Sequence, residues 1–253
     1  MCGLAGVLCR GPDMAGAQWA PVVARMCRAI AHRGPDDEGI WSDGPVCLGS
    51  RRLAIQDLSP AGHMPMLDPS GRFALAYNGE LYNAAELKAE LEAKGVRFRS
   101  TGDTEVVLQS LIAWGEAVLP RFAGILAFAF WDRERRELWL ARDHLGVKPL
   151  YYMESGDLFL FASEIKALLP EHPDPRVDEA GLIEWALYRN LDAPTRATLL
   201  RGIDAVQPGE LVVVADGGRR HRSYFRPTEA VDPALYARSR SLAPAAVVDE
   251  VDA

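Results

Sequence analysis

The chain enters an apolar segment almost at its first residue. Gly3–Cys9 contains only glycine, aliphatic residues and one cysteine, and just Met1 and Cys2 precede it. A short apolar run of this kind is typical of a strand buried inside a fold. Burial of this strand orders the N-terminus, which is poorly fixed in most chains. The sequence therefore predicts a fold that holds Cys2 in a defined place.

Cys2 gains a second reactive group if the initiator methionine is removed, because its thiol then shares a residue with a free α-amino group. An unperturbed thiol has a pKa of about 8.5 and attacks as the thiolate. An α-amino group has a pKa of about 7.7–8.0, so it can accept the thiol proton near neutrality. A terminal amine is a known activator of a nucleophile. Many proteins also have a cysteine in second position without such a role. Whether Cys2 is a nucleophile therefore depends on the other segments of the chain.

Composition limits the function classes. The 253 residues allow one large domain or two small ones. A net charge of −7 argues against a nucleic-acid-binding protein, and we interpret the basic run Arg219–Arg222 as a solvated turn. The apolar run Ala123–Trp131 is too short to cross a bilayer and predicts a buried strand. No secretory signal is visible, so we expect a cytoplasmic protein without a membrane segment.

The four cysteines form no CxxC pair and no cluster with zinc-like spacing. We therefore expect no metal site, and free thiols in a reducing compartment. Cys9, Cys27 and Cys47 stand among apolar residues and are predicted to be small core residues.

Periodicity and turn residues predict antiparallel strand pairs and separate helices, which favours an α+β layered fold. Asn78-Gly79 is a strong turn signal after one strand, and Gln56–Pro69 is predicted as a long loop. Predicted helices cover Trp19–Ile30, Asn83–Lys94, Asp103–Trp114, Ile165–Leu169 and Val177–Arg189. Predicted strands cover Gly3–Cys9, Gly39–Trp41, Val46–Ile55, Phe73–Tyr77, Leu126–Asp132, Glu137–Arg142, Tyr151–Met153, Leu158–Ser163, Glu210–Val214 and His221–Phe225.

Two segments carry groups suited to binding a carboxylate and an oxyanion. Arg52 lies in an otherwise apolar strand, where an unpaired charge is costly; its guanidinium suits bidentate capture of a substrate carboxylate, and a structural ion pair is the alternative. Asn78 and Gly79 are plausible hydrogen-bond donors to a developing oxyanion, and an ordinary hairpin turn is the alternative.

Two further segments are rich in polar residues. Asp103 is expected at a helix start, where it or Thr101 is an ordinary N-cap; it is equally suited to binding a substrate ammonium group. Arg142–Tyr152 is dense in charged residues, glycine and proline. A surface loop with a salt bridge does not explain the order of its residues.

These segments together resemble one known family. The start Cys2-Gly3 and the motifs His32–Asp36 (HRGPD), Arg52–Asp57 (RLAIQD), Asn78–Asn83 (NGELYN), Thr101–Val106 (TGDTEV), Arg142–Tyr152 (RDHLGVKPLYY) and Ala162–Leu168 (ASEIKAL) are similar to the glutaminase domain of glutamine-hydrolysing asparagine synthetases. These are class II glutamine amidotransferases of the N-terminal nucleophile hydrolase superfamily. The resemblance implies a four-layer αββα sandwich of antiparallel sheets.

The resemblance also implies roles for single residues. Cys2 attacks the side-chain amide carbon of L-glutamine, its own amine carries the proton to departing ammonia, and water hydrolyses the resulting thioester. Asn78 and Gly79 form the oxyanion hole. The remaining implied substrate-binding residues hold the carboxylate and α-amino ends of glutamine: Arg52, Leu53, Ile55, Glu80 and Asp103.

The resemblance covers residues 2–225, predicted to be one amidotransferase domain. Residues 226–253 are predicted to be a linker or the start of an absent synthetase domain, and Val247–Ala253 the beginning of a helix. Full-length relatives continue into an ATP-pyrophosphatase domain with an SGGxDS loop, which does not occur here. ATP and Mg²⁺ are therefore expected only for that absent domain, and no cofactor for this chain. Met64 stands where the family often has a polar residue.

Several alternatives remain open at this point. The expected partner is a synthetase domain or subunit, and a homodimer is an open assembly state. The chain could instead be a catalytically idle docking module, an amidotransferase for a secondary-metabolite acid, or an acylase or peptidase of the same superfamily.

Overall fold

The computed structural model of the chain describes residues 1–11, 16–188, 196–229 and 231–241. Its strands are β1 (Gly3–Cys9), β2 (Asp37–Asp43), β3 (Val46–Arg52), β4 (Met66–Leu67), β5 (Phe73–Leu81), β6 (Gly124–Asp132), β7 (Glu137–Arg142), β8 (Tyr151–Ser155), β9 (Leu158–Ala162), β10 (Ile203–Ala205), β11 (Glu210–Ala215) and β12 (Gly218–Ser223). Its α-helices are α1 (Ala20–Ala29), α2 (Ala84–Ala93), α3 (Asp103–Trp114), α4 (Ile165–Leu168), α5 (Glu179–Tyr188) and α6 (Pro233–Ser241).

The strands form two six-stranded antiparallel sheets. The first has the order β10-β8-β9-β1-β3-β2, and the second has the order β12-β11-β7-β6-β5-β4. Strand β1 lies inside the first sheet and pairs with β3 on one side and β9 on the other. Strand β5 pairs with β6 along its whole length in the second sheet. The N-terminus and the Asn78 segment are therefore each carried by an internal strand.

The inner strands of each sheet are buried on both faces. In β1, Leu4 and Leu8 contact the layer between the two sheets, whereas Ala5 and Val7 contact helices on the other face. This alternation follows from the two-residue period of a strand. Because both faces are covered, these inner strands have continuous apolar runs instead of alternating polar and apolar residues.

Helices cover the outer face of each sheet. Helices α1 and α4 pack on the first sheet, and α2 and α3 pack on the second. Val23, Met26 and Cys27 of α1 are buried, at the three- and four-residue spacing that places side chains on one helix face. The layers therefore follow the order helix, sheet, sheet, helix, and the predicted αββα sandwich is confirmed.

The predicted turn at Asn78-Gly79 is wrong. Strand β5 continues through both residues to Leu81, with Asn78 paired to Ala127 and Gly79 to Leu126. An Asn-Gly pair favours a turn because it tolerates positive φ, but pairing with β6 along its whole length keeps these residues extended. Gly79 is needed for a different reason, because a Cβ there would lie 2.6 Å from the carbonyl oxygen of Ile125.

Other predictions of local structure need correction. Arg219–Arg222 is not a turn but most of the edge strand β12, where Arg220 and Arg222 both pair with Glu116. Helix α3 has Gly102 as its N-cap, so neither Thr101 nor Asp103 caps it. The carboxylate of Asp103 accepts from Tyr77 and Leu81 instead. The strand predicted to reach Ile55 ends at Arg52.

Two short strands, β4 and β10, were not predicted, because two or three residues are too few to show a period. The predicted helix Val177–Arg189 is α5, with Arg189 outside the described residues. In the predicted linker 226–253, helix α6 is described, whereas Val247–Ala253 lies outside the described residues. Among the described residues, no helix is long and apolar enough to span a membrane.

Replacing Gly79 with alanine tests the close approach of β5 and β6. A Cβ at this position meets backbone of Ile125 and Leu126 that cannot rotate away, so we expect the free energy of unfolding to fall by about 1–3 kcal/mol. Chemical denaturation measures the change. Gly217→Ala is the matched control, because a Cβ there meets nothing within 4 Å. Equal effects of the two substitutions would contradict the packing argument.

Candidate active site

One cleft of about 150 Å³ brings together all the residues predicted to act on or bind a substrate. It is smaller than the roughly 300–1,000 Å³ of pockets for drug-sized ligands, so it suits a ligand of amino-acid size. The predicted residues lining it are Cys2, Arg52, Leu53, Ile55, Asn78, Gly79, Glu80 and Asp103. They come from the start of β1, the end of β3 and the loop after it, the end of β5, and the first turn of α3.

Cys2 is held by the segment that follows β3. The backbone N–H of Leu53 lies 3.4 Å from Cys2 Sγ and donates to it, and the thiol in turn faces the Leu53 carbonyl oxygen at 3.6 Å. An N–H donor favours the ionised sulfur, whereas the carbonyl accepts from the protonated thiol. Met1 is 58% exposed, so its removal would not require any unfolding.

The main chain of Cys2 is fixed by two residues on other elements. Arg33 Nε donates to the Cys2 carbonyl oxygen at 2.9 Å. The side-chain amide orientation that satisfies both atoms of Asn78 has Nδ2 donating to the same oxygen at 2.9 Å and Oδ1 accepting from Arg33 Nη2 at 3.3 Å. The second proton on Asn78 Nδ2 remains available to another acceptor.

Arg33 was not assigned a role from the sequence, although it stands in the HRGPD motif. Its side chain is buried and binds main chain and side chains far away along the chain. The one sequence signal for Arg33 was its place between a histidine and a Gly-Pro pair. The sequence itself contains nothing that specifies such partners.

Arg52 is buried at the edge of the cleft. Its Nη1 donates to the Ser59 carbonyl oxygen at 3.2 Å, and Nη2 donates to the Asp57 carbonyl oxygen. Gly62 makes room for the guanidinium, since a Cβ at this position would lie 2.2 Å from Nη2. Among the described residues, Arg52 forms no ion pair with a carboxylate, so its charge is compensated by these carbonyl dipoles.

Asp103 presents a carboxylate to the same cleft from the first turn of α3. Its Oδ2 accepts from the Tyr77 hydroxyl at 2.9 Å and from the Leu81 N–H at 2.8 Å. Burial raises the pKa of Asp103 above its ordinary value, and these two hydrogen bonds offset that effect only in part. Glu80 raises it further by charge repulsion. A bound ammonium group would relieve both costs.

The loop that carries Arg52's partners is tied to the start of α3 by Asp57. Its side chain accepts from the N–H of Ser59 at 2.8 Å and from the N–H of Thr101 at 3.0 Å. These bonds to Ser59 and Thr101 lower the pKa of Asp57 to about 2. The ionised Asp57 thereby joins the two walls of the cleft.

The segment Arg142–Tyr152 has a structural explanation. Asp143 is buried and accepts from four backbone N–H groups, among them those of Leu126 and Lys148. Arg142 donates to the carbonyl oxygens of three residues, among them Lys148. Together they fold the loop against β6 and direct Lys148 into the cleft, where its Nζ lies 3.1 Å from Met1 Sδ. The sequence did not single out Lys148.

The other three cysteines are buried away from the cleft lining. Cys9, Cys27 and Cys47 are buried and free, as predicted, and burial raises the pKa of Cys47 to about 11. Met64 is buried and lines the cleft. Over the described ranges, no group of three or more histidine, cysteine or acidic residues is arranged to hold a metal ion.

Two solved structures share this architecture. A solved structure titled glutamine phosphoribosylpyrophosphate amidotransferase from B. subtilis superposes with a TM-score of 0.63 and 23% identity, over 88% of this chain and 49% of that one. A second, titled the allosteric regulatory enzyme of purine biosynthesis, superposes with a TM-score of 0.64 and 22% identity, over the same shares. At these identities the similarity shows the fold alone.

Sequence comparison then shows the family. A family model described as “Glutamine amidotransferase domain” matches residues 1–225, so the chain belongs to that family. Asparagine synthetase [glutamine-hydrolyzing] 3 of Bacillus subtilis is 40% identical over 223 residues, which is 86% of this chain and 35% of that protein. Asparagine synthetase [glutamine-hydrolyzing] 1 of the same organism is 35% identical over 227 residues, 89% of this chain and 35% of that protein. The chain spans about a third of the length of these relatives.

Substituting Asp57 with asparagine tests its role in joining the cleft walls. We expect the free energy of unfolding at pH 7 to fall by about 1–2 kcal/mol, because charge-assisted bonds are lost. The pKa of about 2 in the folded state lies below the ordinary 3.8. This stabilisation is therefore present above that ordinary value and is lost as pH falls through about 2.

Urea denaturation of both proteins at pH 7, 5 and 3 should show the difference between them shrinking toward acid. Asp157→Asn, in the exposed turn between β8 and β9, serves as the control and should change little at any pH. A difference for Asp57→Asn that stays constant across this range would refute the ionic contribution.

Proposed function

We propose that this chain hydrolyses L-glutamine to glutamate and ammonia, with Cys2 as the N-terminal nucleophile. The observation that carries the proposal is that Cys2, the buried Arg52 and the buried carboxylate of Asp103 meet in one small cleft. Within the described part of the chain, Arg52 has no carboxylate partner. Glutamine has an α-carboxylate, an α-ammonium and a side-chain amide. The cleft offers a matching group for each of them.

Substrate orientation follows from charge. Arg52 binds the α-carboxylate, since a buried guanidinium that faces only carbonyl dipoles gains most from an anion. Asp103, helped by the exposed Glu80, binds the α-ammonium, which offsets the burial of the Asp103 carboxylate and its repulsion by Glu80. Leu53 and Ile55 supply apolar lining of the same cleft.

Removal of Met1 exposes the amine of Cys2, which accepts the thiol proton. The thiolate attacks the amide carbon of glutamine, and the negative charge on the amide oxygen is stabilised by Asn78 Nδ2 and the Gly79 N–H. Collapse of this intermediate breaks the C–N bond, and the amine returns its proton to the departing ammonia. Water then hydrolyses the glutamyl thioester, which yields glutamate and restores the thiol.

The acceptor of the ammonia lies with a partner. We propose a synthetase domain or subunit of the asparagine-synthetase type, which would bind ATP and Mg²⁺, whereas this domain needs no cofactor. Exposed apolar side chains on the loops after β3 and β7 support such a partner: Leu58, Leu145 and Val147. We place the activity in the cytoplasm and leave a homodimer open.

Cys2→Ala should abolish glutamine hydrolysis in the purified protein, by at least about a thousandfold, because a chemical step is removed. Release of glutamate and ammonia is measured directly, and intact mass spectrometry establishes that Met1 is absent. Cys9→Ala, which removes a buried thiol of β1, is the control and should retain activity. Unchanged hydrolysis by Cys2→Ala would mean that another group performs the chemistry.

Arg52→Gln tests the carboxylate clamp. We expect the KM for glutamine to rise by about 30- to 100-fold, since a buried charge pair with the substrate is lost. An amide that has the ammonium group but no α-carboxylate should be hydrolysed by both proteins equally. Arg51→Gln is the matched control, because adjacent residues of a strand face opposite sides and Arg51 instead pairs with Glu38. An equal loss for both amides would indicate damage to the cleft rather than a lost clamp.

A further inference from the structure

Glu164, the residue before α4, forms a cluster with three basic side chains beside the cleft. Its Oε1 accepts from Arg33 Nη1 and faces His32 Nε2, each at 2.9 Å, and its Oε2 lies 3.0 Å from Lys166 Nζ. Burial acts to raise the pKa of Glu164, but bonds from Arg33, Lys166 and His32 outweigh it and lower that pKa to about 2. Glu164 is therefore ionised at neutral pH.

Arg33 connects this cluster to the nucleophile. Its side chain is only 8% exposed, and its other donors are used on the Cys2 carbonyl oxygen and on Asn78 Oδ1. A guanidinium is planar and rigid, so fixing one of its N–H groups fixes the direction of the rest. Glu164 supplies the charged anchor of that plane, whereas Cys2 and Asn78 offer neutral oxygens.

We propose that Glu164 is a positioning residue for the reaction. It acts through Arg33 to hold both the Cys2 main chain and the Asn78 amide in their places. Glu164 does not line the cleft, so it contributes to catalysis without touching the substrate. The inference rests on the proposed glutaminase activity. It adds to that activity a residue that lies outside the cleft lining.

The two carboxylate oxygens of Glu164 have different partners, so the contact with Arg33 can be tested separately. Arg33 binds Oε1 of Glu164, whereas Lys166 binds Oε2. Lys166→Met removes a contact of Glu164 but leaves the bond to Arg33 in place. Glu164→Gln keeps the shape of the side chain and removes the charge that fixes Arg33.

The kinetic test compares these two variants. Glu164→Gln should lower kcat for glutamine by about 10- to 100-fold with little change in KM, because a small displacement of an oxyanion donor affects the transition state more than substrate binding. Lys166→Met should stay within about twofold of the parent protein, the usual range for a surface contact. Thermal denaturation of both variants shows whether folding accounts for a loss.

A second readout does not depend on turnover. The side-chain amide signal of Asn78, assigned by its disappearance in Asn78→Ala, should shift in Glu164→Gln and stay in place in Lys166→Met, as followed by ¹H–¹⁵N NMR. An unchanged signal together with an unchanged kcat in Glu164→Gln overturns the proposal. Equal losses of kcat and of thermal stability in both variants, with the Asn78 signal unmoved, also overturn it in favour of a purely structural cluster.

The two readouts distinguish this inference from the proposed function. If the parent protein, with Met1 removed, releases no glutamate, the glutaminase proposal fails. The Asn78 signal still reports in that case whether Glu164 positions the amide. If the parent protein is active and Glu164→Gln matches it in kcat and in spectrum, the glutaminase proposal stands and the inference fails.

Discussion

The position of β1 inside the first sheet is the constraint on which the site depends. Hydrogen bonding to β3 and β9 fixes the chain from Gly3 onward, and packing against both neighbouring layers leaves it no alternative register. A one-residue slip would exchange Leu4 and Leu8 with Ala5 and Val7 between the two layers. This packing therefore fixes the position of the residue that precedes β1. Cys2 can then be directed at fixed partners such as the Leu53 N–H.

The cleft itself combines opposite charges that are kept apart. Arg52 is compensated by carbonyl dipoles on one side, and Asp103 is held by a tyrosine hydroxyl and an N–H on the other. Neither charge neutralises the other, so both remain available. Two separate charges of this kind cost stability in the empty protein. Under the proposed function, the α-carboxylate and α-ammonium groups of a free amino acid offset that cost on binding, which an uncharged amide does not do.

Local elements were predictable where a period or a turn determined them. Helix Asp103–Trp114 and the pair β6 and β7 follow from apolar spacing and a charged turn within one stretch of chain. The turn predicted at Asn78-Gly79 was wrong because pairing with β6 overrode the turn preference of these two residues. Arg33, Lys148 and Glu164 could not be assigned, since each contacts residues more than 30 positions away. Motif resemblance gathered the cleft residues, but their contacts came only from the structure.

The pairing of β1 with β9 also sets an order of events during synthesis. Ala5 pairs with Ala162, so the first strand emerges from the ribosome long before one of its two neighbours exists. Contacts of such large sequence separation form late in folding. The thiol of Cys2 therefore lacks its complete surroundings until β9 has been synthesised. Under the proposed function, the reactivity of Cys2 arises together with the completed sandwich.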